Sequence, residues 1–138
     1  MKSSVKYPFT PKSNSKLAPG QFWSIPLLSG KFGCGRILGV PAFGPSDRVG
    51  VVVGLTDWVS DKLPTHETIA GSVILAYAAT RFDTVLVTGG QILGFRDLAE
   101  DNLVEISLPG NGDVGSKSTV WGANTIANIA ERTFALKG

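Results

Sequence analysis

Apolar residues fill Phe22 to Leu28, turn chemistry follows at Ser29-Gly30, and a second, largely apolar run spans Lys31 to Val40. Two β-rich runs around a glycine-containing pair predict a hairpin, because glycine supplies the positive φ that tight hairpin turns demand. The first run carries aromatic and aliphatic residues at successive positions, as a strand covered on both faces does. Gly33, Gly35 and Gly39 recur at alternate or nearly alternate positions of the second run. That spacing leaves one face bare, so that something bulky can lie across it or the strand can coil sharply. The rest of the chain is read as organised around this hairpin.

Upstream, Met1 to Lys16 is rich in Lys, Ser, Pro and Asn and too poor in apolar residues to offset the entropy of ordering. It is expected to be a flexible basic arm, with a single globular domain over 17–138. Downstream, Pro41 to Arg48 reads as a loop punctuated by two prolines and a glycine. Val49 to Leu55 (VGVVVGL) predicts a buried strand, since β-branched side chains fit a pleated surface. Thr56 to Asp61 continues or leaves it. Leu63 to Thr68 reads as a short helical turn or a loop; Thr65 can cap it, with Pro64 barring continuation upstream.

Val73 to Thr80 is compatible with strand or helix; its length and β-branched start favour strand. Thr84 to Val87, Gly89-Gly90 and Gln91 to Phe95 predict a second hairpin, and Arg96 to Asp101 a helical turn. Leu103 to Leu108 alternates as a half-buried strand does, with Val104, Ile106 and Leu108 on one face. Pro109 to Ser118 is a turn-rich loop. Ala123 to Ala135 predicts a helix, with Ile126, Ile129, Ala130, Thr133 and Phe134 on one face. The expected fold is mostly β (α+β): a small, strongly bent antiparallel sheet or partly open barrel with a C-terminal α-helix.

Composition agrees with that reading. Seventeen glycines and eight prolines in 138 residues favour short strands and turns over long helices. The formal charge of +2 is a property of the ends: five of the thirteen basic residues are Lys2, Lys6, Lys12, Lys16 and Lys137. Between Leu17 and Leu136, eight basic residues face all eleven acidic ones, a net charge of −3. A mildly acidic body counts against nucleic-acid binding. Cys34 is the only cysteine, so neither an intrachain disulfide nor a thiol-rich metal site is available. The first sixteen residues hold no apolar signal-peptide core, and no run approaches the roughly 18 apolar residues of a membrane span. A soluble cytoplasmic protein is expected.

Candidate chemistry is sparse. His66, the only histidine, stands beside Glu67 as a general acid–base pair would, but adjacent residues seldom converge on one substrate atom. Cys34 lies between glycines, where a lone cysteine is more often a small buried hydrophobe than a nucleophile. Gly30 to Gly35 lacks the spacing of a phosphate loop. Asp57 and Asp61 flank Trp58; they are a hydrolase pair, an incomplete metal site or solvated residues at a strand exit. Asp97, Glu100, Asp101 and Glu105 form the densest acidic cluster, opposed locally only by Arg96. That segment is either an ordinary exposed face or a docking patch for a basic partner. Trp23, Trp58 and Trp121 are expected core anchors, although Trp is also enriched at interface hot spots. No cofactor and no metal is implied.

Pro19-Gly20-Gln21-Phe22-Trp23-Ser24-Ile25-Pro26-Leu27, followed by Gly30-Lys31-Phe32-Gly33-Cys34-Gly35-Arg36-Ile37-Leu38, resembles the opening hairpin of the immunity protein 26 family. The specific match covers about twenty residues, 19–38, and later segments agree only loosely in order and character. The resemblance implies a non-catalytic bacterial protein that binds and neutralises a cognate toxin domain of a polymorphic toxin system. It carries over no catalytic residue. An acidic body suits a basic, nuclease-like toxin, with Asp97, Glu100, Asp101 and Glu105 as first contact candidates and Asp57, Trp58 and Asp61 next. Two other classes remain open on the residues alone. One is a small β-barrel nucleic-acid-binding module using the lysine arm and exposed aromatics. The other is a small hydrolase built on Asp57, Asp61 and His66.

Overall fold

The structure, a computed structural model, describes residues 6–12, 16–39, 51–106 and 121–135. The expected loops at Pro41–Arg48 and Pro109–Ser118 lie outside those residues, as do Val49, Gly50, Ser107 and Leu108. Five strands form one antiparallel sheet: β1 (Gln21–Pro26), β2 (Phe32–Gly39), β3 (Val51–Ser60), β4 (Ile74–Thr80) and β5 (Ile92–Phe95). Their spatial order is β4-β3-β2-β1-β5, so the sheet is open, with β4 and β5 at its edges, and does not close into a barrel. Helix α1 (Asp83–Leu86) is a single turn, a 3₁₀ turn spans Leu98–Asp101, and α2 (Thr125–Ala135) is the C-terminal helix.

The predicted hairpin is the centre of the sheet. β1 and β2 pair from Phe22↔Arg36 to Pro26↔Phe32, and Gly30 takes φ +93° in the connecting turn. Covering of both faces follows the alternation of side chains along β1 and β2. On one face Trp23, Ile25, Ile37, Val53 and Leu55 meet Val85 of α1 and Ile126, Ala130 and Phe134 of α2. On the other, Phe22 and Cys34 pack with Ile69, while Leu38 and Val52 pack with Leu98. The bare glycine face of β2 is used as its spacing predicts. A Cβ on Gly35 would stand 2.6 Å from the Trp23 ring, and the nearest contact of Gly39 is the backbone of Ile106.

Several expectations change. Thr84 to Val87 is not a strand: Asp83–Leu86 is helical, and the partner of β5 is β1. Tertiary contacts override the β-propensity of this segment. Val85 enters the core, the Thr84 hydroxyl donates to the Ala123 carbonyl at 2.9 Å, and Gly90, at φ +92°, closes the turn on Val85 O. Leu103 to Ile106 is also not a strand. Asn102 adopts φ +60°, Leu103 N–H turns back to Leu98 O at 2.9 Å, and Val104 is 74% exposed. β3 runs on through Thr56 to Ser60. Within the arm, Phe9 exchanges both backbone hydrogen bonds with Ile92 (3.0 and 2.8 Å) and adds one pairing to the outer edge of β5.

Candidate functional site

Arg36 interrupts the apolar sequence of β2 between Cys34 and Leu38, on the face opposite α2. A guanidinium there must be matched, because a buried unpaired charge is costly. The matching groups come from the residue before β1, from Arg96 just after β5 and from the 3₁₀ turn. Arg36 Nη1 donates to Asp101 Oδ2 at 2.9 Å, and Nη2 donates to the carbonyls of Gly20 (3.2 Å) and Arg96. Arg36 Nε is buried without a partner among the described residues. Arg96 Nε donates to both Asp101 oxygens, at 3.1 and 2.9 Å. The Gly71 N–H donates to Asp101 Oδ1 at 2.8 Å. One carboxylate therefore joins β2, the end of β5, the 3₁₀ turn and the loop before β4.

The electrostatics are set by this geometry. Burial works to raise the Asp101 pKa, but hydrogen bonds from Arg96, the Gly71 N–H and Arg36 outweigh it and bring it from 3.8 down to about 2. Arg96 is held protonated, chiefly by its hydrogen bond to Asp101. Toward solvent, Arg96 Nη1 donates to His66 O at 3.2 Å and lies 3.5 Å from Glu100 Oε1. His66 stands between two carboxylates, with Nδ1 3.8 Å from Glu67 and Nε2 3.7 Å from Glu100.

Asp101 thus leaves the expected docking patch. Its side chain is fully buried between two arginines, and its negative charge is spent inside the fold. The signal was available as Arg36, a charge inside an apolar strand that required a buried acid elsewhere in the chain. Arg36 and Arg96 complete this cluster and were not among the candidate site residues. The other three acidic residues are exposed: Asp97 caps the 3₁₀ turn through Ala99 N–H (3.0 Å), Glu100 faces His66, and Glu105 lies beyond the turn. Asp97 and Glu105 border a groove of about 400 Å³, whose wall includes Phe95, Leu98 and Leu103.

The second set does not assemble. Asp57 is exposed and accepts the Val73 N–H at 3.1 Å, Trp58 packs at the edge of the Phe22–Cys34–Ile69 cluster, and Asp61 is exposed. The carboxylates within 4 Å of His66 are Glu67 and Glu100, so Asp57 and Asp61 are not brought to it. Among the described residues, no three His, Cys, Asp or Glu side chains converge as metal ligands do. Burial pushes the Cys34 thiol up to about 12, against the opposing Arg36 charge, so its thiolate is scarce at neutral pH. Trp23 is a buried anchor as expected, its indole N–H donating to Thr88 Oγ1 at 2.8 Å. A second cavity, of about 660 Å³, is apolar and lies against β4, between Leu75, Tyr77, Leu103 and Ile106. No helix among the described residues is long and apolar enough to cross a membrane.

No family model, no curated protein and no solved structure matches the chain.

Proposed function

We propose that the chain is a non-catalytic binding protein that neutralises a bacterial toxin domain in the cytoplasm, as the immunity protein 26 family that its 19–38 segment resembles does. The observation that carries the reading is the division of charge around the 3₁₀ turn. The ionisable groups drawn together inside, Arg36, Arg96 and Asp101, are paired with one another and with backbone groups, Arg36 Nε excepted, an arrangement that fixes structure. Of the carboxylates left outside, Asp97 and Glu105 border a groove with an exposed aromatic, Phe95, while Glu100 faces His66. Exposed carboxylates around an apolar recess suit a basic protein surface, since opposite charge speeds encounter and apolar contact slows release. A basic, nuclease-like toxin is the partner this surface fits.

The test is co-expression with the toxin domain at the C-terminus of a large protein encoded in the adjacent reading frame. Restored growth, together with a stoichiometric complex of the two purified proteins, is the expected result. Unrelieved growth arrest with no complex sinks the reading.

A further inference from the structure

The fold fixes one aromatic ring at the mouth of the acidic groove. Phe95 ends β5 and remains 39% exposed. One edge of its ring rests on Gly20, where a Cβ would come 2.6 Å from Phe95 Cε1 and 2.9 Å from the Arg96 carbonyl. Gly20, at φ +103°, is itself pinned: its N–H donates to Ile37 O and its carbonyl accepts from Arg96 N–H, both at 2.9 Å. The ring therefore rests against the same backbone that receives Arg36.

The groove beside it is lined by Ala18, Pro19, Leu98 and Leu103, and Asp97 and Glu105 are the charged residues among its described lining. Asp97 is also fixed, through its bond to Ala99 N–H. An exposed aromatic ring backed by Gly20, two carboxylates and aliphatic walls together match one kind of side chain. The ring attracts a cation, the carboxylates pair with it, and the walls cover a methylene stem. A guanidinium fits better than an ammonium, because it is planar, weakly hydrated and able to stack while donating in its plane.

We infer that this groove is the seat of an arginine side chain presented by the protein partner. The inference rests on the proposal that the partner is a basic protein, and it names the contact within that surface. Glu100 lies outside the groove lining and contributes only to the surrounding field.

The probe is N-acetyl-arginine N-methylamide, titrated into the isotope-labelled full chain while the Leu98, Leu103 and Phe95 signals are followed. The citrulline analogue, which keeps the size and loses the charge, is titrated in parallel. Saturable shifts at those three residues with the arginine derivative alone are expected. Phe95→Leu should weaken its binding by about two- to fivefold, the factor an exposed cation–π contact is worth. Glu105→Gln should weaken it further and flatten its salt dependence. An unchanged amide spectrum away from the groove establishes that each variant is folded. No saturable shift at the groove, or an equal response to the citrulline analogue, overturns the assignment. The two proposals fail separately. A responsive groove without toxin rescue removes the immunity reading and leaves the arginine seat. Rescue and complex affinity that survive Phe95→Leu combined with Glu105→Gln remove the seat and leave the immunity reading.

Discussion

Arg36 Nη1 and Asp101 Oδ2 meet at 2.9 Å across 65 positions of sequence, with both side chains fully buried. The pair fastens the segment after β5 to the middle of β2, on the face that α2 does not cover. Backbone hydrogen bonds from Arg96 N–H to Gly20 O and from Ile106 N–H to Leu38 O, both 2.9 Å, flank the 3₁₀ turn on either side. The packing there sets Leu98, Leu103 and Ile106 with Leu38, Val52 and Ile74.

Removing the acid while leaving both arginines should therefore be severe. Asp101→Asn is expected to cost about 3–5 kcal/mol, the usual loss when one partner of a buried charge pair is deleted. Glu100, exposed and 3.5 Å from Arg96, belongs to the class of surface pairs. Glu100→Gln should cost no more than about 1 kcal/mol. Urea midpoints of the two variants check this. An Asp101→Asn midpoint equal to that of the wild type would show that the hub does not hold the fold.

The same carboxylate sets an acid limit. Its pKa is lowered from 3.8 to about 2 on folding, so the unfolded chain binds the proton more readily. The stabilisation, roughly 2 kcal/mol from a shift of this size, is complete above pH 4 and is lost as pH falls toward 2. The gap between the unfolding free energies of wild type and Asp101→Asn should narrow by roughly 2 kcal/mol over that window and stay constant above it. A constant gap from pH 5 down to pH 2 refutes the assignment.

The hairpin at 19–38, the strand at β3 and the helix at α2 were legible because their patterns are local: a glycine turn, β-branched residues, a period of three and four. Thr84 to Val87 was not, because the same letters serve a strand or a helical turn, and a distant carbonyl, Ala123 O, decides. The acidic segment misled for a related reason. Asp97, Glu100, Asp101 and Glu105 look alike in sequence, and only the position of Arg36 across the sheet separates the buried one from the exposed three. Phe95 carries no signal in the sequence because its exposure depends on β5 lying at an edge.

The arm supplies a third prediction. Phe9 adds a pair of backbone hydrogen bonds to Ile92, its ring lies 5.8 Å from that of Tyr7, and it packs against the main core. Phe9→Ala should cost about 1–2 kcal/mol, less than for a fully buried phenylalanine. It should also speed hydrogen exchange at the Ile92 amide, which donates to Phe9 O. Unchanged exchange and an unchanged midpoint would mean that the pairing contributes nothing.

Gly35 and Trp23 give the last. They are cross-strand partners in the central hairpin, and the indole lies over the glycine where a side chain would be. A Cβ on Gly35 would meet Trp23 Cη2 and Cζ2 at 2.6 Å and Cε2 at 2.9 Å, separations that no ordinary contact permits. Trp23 cannot swing away cheaply. It is 0% exposed, and its N–H is committed to Thr88 Oγ1, which in turn donates to Thr84 O at 2.7 Å. Gly35→Ala should thus cost about 1–3 kcal/mol through overpacking. Trp23→Phe, which removes the crowding atoms together with the indole N–H bond, should be costly alone. Combined with Gly35→Ala it should be distinctly less than additive, because the alanine then occupies space the indole has left. The check is a double-mutant cycle on denaturant midpoints. Strict additivity of the two substitutions would mean that the ring does not lie across Gly35.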